Sequence, residues 1–161
     1  MILISLGANL PSSAGPPAAT LKAALDRLEE QGVKILSVSS FYESPAWPDP
    51  AEPAFINAVA AIETALPPAA LLALLHRVEA QFGRTRSRPN APRSLDLDLL
   101  DYDGLATEEG LTLPHPRIAE RGFVLVPLAE IAPGWRHPVT GARAGDLASA
   151  LPDPGGVKKL A

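Results

Sequence analysis

The chain contains no cysteine. Disulfides, thiolate metal sites and thiol nucleophiles are therefore excluded together, and the absence fits a reducing cytoplasm, where we expect the protein to work. No apolar run approaches the roughly 20 residues that a membrane helix needs. The opening Met1-Ile-Leu-Ile-Ser-Leu-Gly also lacks the basic segment of a secretory signal and reads as a strand. Positive charge is not in excess: 14 Lys and Arg stand against 18 Asp and Glu, a net charge of -4, so the chain as a whole is no electrostatic nucleic-acid binder. Neither G-x-x-x-x-G-K-[ST] nor G-x-G-x-x-G occurs. A nucleotide would have to be held by side chains and metal instead of a glycine loop. We expect no membrane and no nucleic-acid partner.

What remains is a globular composition, 47% hydrophobic and 20% charged over 161 residues, enough for one domain spanning 1–161. Ile2 to Leu6 reads as a first strand. Ala18 to Gln31 places Leu21, Ala24, Leu25 and Leu28 at helical spacing and stops at Gly32. Val33 to Tyr42 reads as a second strand. Glu43 to Ala54 carries four prolines, which neither a helix nor a central strand tolerates, so it is a long loop. Phe55 to Thr64 is a third strand. A second helix opens at Pro67-Pro68 and closes at Gly83, and Ser94 to Tyr102 is a fourth strand. The order predicts an α+β fold, a ferredoxin-like β-α-β-β-α-β core whose helices pack on one face of an antiparallel sheet. Leu105 to Ala161 forms a less regular C-terminal extension. It holds a short helix near Phe123 to Ile131 and a loose tail after Gly155-Gly156.

The charges are concentrated where the net value hides them. Arg84, Arg86, Arg88 and Arg93 share one loop without an acid among them, and Asp96, Asp98, Asp101 and Asp103 follow at once. Guanidinium groups pair with phosphate oxygens at two points, while carboxylates supply hard oxygens to a divalent cation. Strand alternation sets Asp96, Asp98, Leu100 and Tyr102 on one face, with the two carboxylates roughly 7 Å apart along the strand, a spacing that suits one or two Mg²⁺ ions. On the third strand Asn57 shares a face with Phe55, an amide beside a ring that together can read a flat heterocycle by edge and plane. Phe123 follows Arg121-Gly122 and reads more readily as core. His115 is held between prolines. His76 and Glu79, three apart on the second helix, read as a surface ion pair. These features leave open a non-catalytic RNA-binding module, though the aromatic strand it would need is missing. They also leave open a kinase transferring a single phosphoryl group.

Asn90-Ala-Pro-Arg-Ser-Leu-Asp-Leu-Asp-Leu-Leu resembles the signature of the 6-hydroxymethyl-7,8-dihydropterin pyrophosphokinase family. Leu6-Gly-Ala-Asn-Leu, Ser39-Ser-Phe-Tyr-Glu-Ser-Pro, Phe55-Ile-Asn-Ala, Leu113-Pro-His-Pro-Arg and Arg121-Gly-Phe-Val-Leu-Val-Pro-Leu are similar to further blocks of that family, in order and over nearly the whole chain. The resemblance implies transfer of the β,γ-diphosphate of ATP to a pterin hydroxymethyl group, with release of AMP. It implies that Asp96 and Asp98 hold two Mg²⁺ ions, and that Arg84 and Arg93 stabilise the transferring group while Arg86 and Arg88 assist loop closure. His76, Glu79, Thr112, His115 and Arg121 would contact ATP. Ser44, Pro45, Phe55, Asn57 and Phe123 would form the pterin pocket, with the two phenylalanines sandwiching the ring. Asn90 stands where many members carry Trp, Phe55 where Tyr is common, and Pro116 where a Tyr neighbours the histidine. A monomer is expected.

Overall fold

A glycine in the left-handed region ends each of the first two helices, Gly32 at φ 90° and Gly83 at φ 83°, as their places in the sequence predict. A computed structural model describes residues 1–46, 49–83, 94–151 and 156–160. The elements run β1 (Ile2–Ala8), α1 (Pro17–Glu30), β2 (Lys34–Val38), β3 (Tyr42–Ser44), β4 (Phe55–Glu63), α2 (Pro68–Gln81), β5 (Asp96–Tyr102), α3 (Gly122–Ile131), α4 (Ala144–Ala150) and β6 (Lys158–Lys159). Proline at the first helical position of α1 and of α2 pre-sets φ and forfeits an N–H that has no partner there.

The strands form one sheet in the order β5-β1-β4-β3-β6, with β2 pairing the other end of β4. Every pairing is antiparallel, so the α+β, ferredoxin-like reading holds. Leu21, Ala24 and Leu28 of α1 and Leu71, Leu74, Leu75 and Val78 of α2 pack against Ile4, Leu6, Ala58, Ala60, Ile62, Leu97 and Leu99. The opposite face, with Leu3, Val59, Ala61 and Leu100, is covered by Val124, Leu125 and Leu128 of α3 together with Trp135 and Ala144. The extension thus builds a third layer instead of trailing from a two-layer core. β1 and β4 are buried on both sides, which is why both read as near-continuous apolar runs.

Three sequence expectations are corrected. The second strand is divided, because Ser39 turns its hydroxyl to accept from Val59 N–H at 3.0 Å while its own N–H donates to Val59 O, so a side chain replaces a ladder carbonyl. Along β5, strict alternation fails at a bulge: Ile4 pairs with Leu99 and Leu3 with Asp101, leaving Leu100 extra. Tyr102 is thereby turned away from the aspartate face and packs with the α1/α2 core. The tail is not wholly loose, since Lys158 and Lys159 pair with Glu43 and Tyr42 and so cover the free edge of β3.

Candidate active site

The register of three neighbouring strands brings the chemistry together. Gly7 of β1 faces Asn57 of β4 on one side and Asp96 of β5 on the other, and two residues along, Ser5 lies between Val59 and Asp98. Directly opposed residues share a face, so Asn57, Asp96 and Asp98 all look toward the layer formed by α3. Asn57 and Asp96, two strand spacings apart, lie about 10 Å from one another at the backbone.

The amide end of this row is tightly built. Asn57 is 4% exposed and Ser44 3%, and Asn57 Nδ2 donates to Ser44 Oγ at 2.7 Å. That bond fixes the orientation of the amide and leaves Oδ1 as its acceptor end. Phe55, two residues back on the same face, is half-buried. Pro45 is exposed beside Ser44. Asn9, buried after the end of β1, donates through Nδ2 to Pro53 O at 3.0 Å and so ties the first loop to the proline-rich one just before Phe55.

The carboxylate end is less buried than the amide end. Asp96 and Asp98 are half-buried on their strand face, while Leu95, Leu97 and Leu99 between and beside them are buried on the other. Arg121 brings a guanidinium nitrogen to 4.0 Å from Asp98 Oδ2, and the same guanidinium lies over the Phe123 ring, 5.4 Å from its centroid. Phe123 is half-buried and packs at the edge of the second core, so it is neither wholly core nor free of it. His115 is placed by its own N–H, which donates to Leu100 O at 2.8 Å. Burial first, then the charges of Arg121 and Arg117 against the pull of Asp96, lowers the His115 pKa to about 4. The ring is therefore neutral at pH 7, and because Nδ1 accepts from Arg117 N–H at 3.2 Å the ring proton sits on Nε2.

The expected surface pair of His76 and Glu79 is corrected. His76 is exposed, but Glu79 is 3% exposed and its Oε2 accepts from Leu97 N–H at 2.8 Å. A carboxyl group that satisfies a strand N–H from a neighbouring helix fixes that strand. Here it fixes β5 midway between Asp96 and Asp98. Helical spacing alone could not reveal this, because Leu97 belongs to a strand eighteen residues on. Thr112 is exposed. Arg84, Arg86, Arg88 and Arg93 lie outside the described residues, as does Trp47.

Among the described residues no group of three or more His, Asp or Glu side chains is gathered that could hold a metal by itself. Two half-exposed carboxylates on one strand face instead offer a partial set of hard oxygen ligands. That donor set fits Mg²⁺, which keeps its remaining positions for water and phosphate.

A family model for 7,8-dihydro-6-hydroxymethylpterin-pyrophosphokinase (HPPK) matches residues 3–133. The 2-amino-4-hydroxy-6-hydroxymethyldihydropteridine pyrophosphokinase of Methylorubrum extorquens is 40% identical over 159 residues, 98% of this chain and 96% of that protein. The protein of the same name from Haemophilus influenzae is 42% identical over 131 residues, 80% of this chain and 79% of its own length. A crystal structure of Plasmodium falciparum HPPK-DHPS, 14% identical, superposes with a TM-score of 0.71 over 92% of this chain and 40% of that longer one. At that identity the likeness concerns the fold alone.

Proposed function

The chain belongs to the 7,8-dihydro-6-hydroxymethylpterin-pyrophosphokinase family, and from that premise we propose how its residues move the diphosphate of ATP onto the hydroxymethyl group of 6-hydroxymethyl-7,8-dihydropterin. The reaction is a diphosphotransfer of folate biosynthesis, with ATP as co-substrate. The hydroxymethyl oxygen bonds to the β-phosphorus, the bond from that phosphorus to the oxygen of AMP breaks, and the hydroxyl proton passes to solvent. Such a transfer asks for positioning and charge neutralisation more than for covalent chemistry from the protein.

The observation that carries the assignment is the row Asn57, Gly7, Asp96 across adjacent strands. An amide and a carboxylate on one face support a reading in which an alcohol held at one end meets a phosphate held at the other. Asn57 Oδ1 accepts from the N–H edge of the pterin, Ser44 holds the amide still, and Pro45 borders the ring. Phe55 and Phe123 cover its two planes. Asp96 and Asp98 would hold two Mg²⁺ ions, which would neutralise phosphate charge. Arg121 and neutral His115 contact phosphate oxygens, the latter by an uncharged Nε2–H. His76 and Thr112 contact the nucleotide, and Glu79 serves it by fixing Leu97 between the two aspartates. Arg84 and Arg93 meet the charge on the transferring group, and Arg86 and Arg88 help the loop close over it. The protein works as a monomer in the cytoplasm, as one pyrophosphokinase domain over 1–161. No helix among the described residues is long and apolar enough to cross a membrane.

The test is product identification with hydroxymethyldihydropterin and Mg-ATP over a Mg²⁺ titration. AMP and the pterin diphosphate are expected from the wild type. Asp96→Ala and Asp98→Ala should lose most activity while keeping the wild-type circular dichroism, because both side chains are only half-buried. ADP as product would point to single-phosphoryl transfer. Near-normal turnover in either folded variant would remove that carboxylate from the metal site.

A further inference from the structure

Gly7 sits in the interior of a central strand, where glycine weakens the strand relative to alanine and packs nothing. Its backbone does not require glycine, because Gly7 lies outside the left-handed region that Gly15, Gly32 and Gly83 occupy. Its surroundings do. A Cβ on Gly7 would lie 3.1 Å from Asn57 Oδ1, 3.9 Å from Phe55 Cδ1 and 3.8 Å from Ile56 O. The first distance is shorter than an ordinary van der Waals contact. The amide has little room to yield, since it is 4% exposed and bonded to Ser44 Oγ at 2.7 Å. The missing methyl would therefore fill the space between the Phe55 ring and the amide oxygen, and would shield that oxygen from any approaching donor.

We propose that Gly7 is a specificity-determining residue for the organic substrate, its bare Cα forming the floor on which the edge of the flat heterocycle reaches Asn57. The inference rests on the reading of Phe55 and Asn57 as pterin-binding residues and adds a residue to it. Gly7 acts by what it leaves empty, and its own atoms need make no polar contact with the ligand. The strand pairing that places it also explains the position: it is the single residue of β1 opposed both to Asn57 and to Asp96, so bulk there would crowd the junction of the two substrates from the pterin side.

The experiment is a double-mutant cycle, Gly7→Ala, Asn57→Ala and both together, with calorimetric binding of the pterin and of Mg-ATP measured separately and thermal unfolding followed for each protein. Gly7→Ala should weaken the pterin about tenfold or more and leave Mg-ATP within about twofold, the loss of one buried polar contact. The double variant should bind the pterin no worse than Asn57→Ala alone, because the methyl then has no amide to displace or shield. A Gly7→Ala protein with wild-type pterin affinity, beside a weakened Asn57→Ala, would overturn the inference and leave the pocket standing. Losses that simply add in the double variant would overturn it too, as would equal weakening of both ligands, which a merely structural role produces. Should Gly7→Ala fail to fold, the double variant decides: recovery of the fold supports crowding of Asn57, and failure of the double variant refutes it. Normal pterin binding by Asn57→Ala would instead overturn the pocket reading itself.

Discussion

His115 shows how far one side chain's surroundings depart from its sequence context. A histidine between prolines suggests only rigidity, whereas burial together with Arg121 and Arg117 lowers its pKa to about 4 from an ordinary 6.5. The folded chain then refuses a proton that the unfolded chain accepts. Stability from this source is intact above about pH 6.5 and falls as the pH drops toward 4. His115→Asn keeps an acceptor for Arg117 N–H but cannot titrate, so its stability should fall less steeply over that window. Urea unfolding at several pH values, in chelator, measures the slope. Identical slopes for the two proteins would mean that His115 is not the group responsible. The Glu130 carboxyl behaves differently. Burial alone would raise the Glu130 pKa, but hydrogen bonds from Tyr42 and Ser40 outweigh it and hold the group below 4.5, so its contribution is lost only at still lower pH.

At the scale of an element, β5 carries the two aspartates proposed to hold metal, and Glu79 fixes it through Leu97 N–H. Glu79→Ala removes the acceptor of Leu97 N–H and leaves a buried donor unpaired, a cost of about 1–3 kcal/mol. Because Leu97 lies between Asp96 and Asp98, the loss should appear as a higher Mg²⁺ requirement and a higher KM for ATP, with pterin affinity nearly unchanged. Glu79→Gln retains an oxygen in place and should restore most of both. A Gln variant as impaired as the Ala variant would show that the charge, and not the strand contact, matters. The loop before β5 carries a separate expectation from sequence. Arg93, three residues ahead of Asp96, should meet charge that develops in the transition state, so Arg93→Ala should lower kcat far more than it weakens either substrate, and Arg88→Ala should do less. Single-turnover kinetics on both variants checks this, and normal turnover in Arg93→Ala would refute it. Much of this was legible beforehand. The apolar stripes of α1 and α2, their closing glycines and the Asp-x-Asp alternation follow from spacing alone. The alternation fails beyond Leu100 because a bulge depends on the partner strand. The role of Glu79 and the need for Gly7 arise only when distant elements are set side by side.

For the whole molecule, the consequence of the third layer is that the site is assembled from two parts of the chain. Asn57, Asp96 and Asp98 come from the sheet, while His115, Arg121 and Phe123 come from the segment after it and are held there by α3 and the loops around it. One tie between the parts is Trp135, 7% exposed, whose Nε1 donates to Asp101 Oδ2 at 2.8 Å. Asp101 reaches the second core because the bulge in β5 turns it there, and its Oδ1 accepts from Gly104 N–H at 3.0 Å. Trp135→Phe keeps most of the apolar surface but removes that donor, so unfolding should become easier by about 1–3 kcal/mol. The denaturation midpoint should fall while its slope stays constant, since the surface exposed on unfolding is little changed. If Phe123 and Arg121 complete the site from this layer, ligands bind only the docked form, and saturating pterin with Mg-ATP should raise the midpoint of the variant as it raises that of the wild type. Chemical unfolding with and without both ligands tests the two statements together. An unchanged midpoint without ligands would mean that the tryptophan bond contributes nothing. Failure of the ligands to protect either protein would mean that the layer and the site are not coupled.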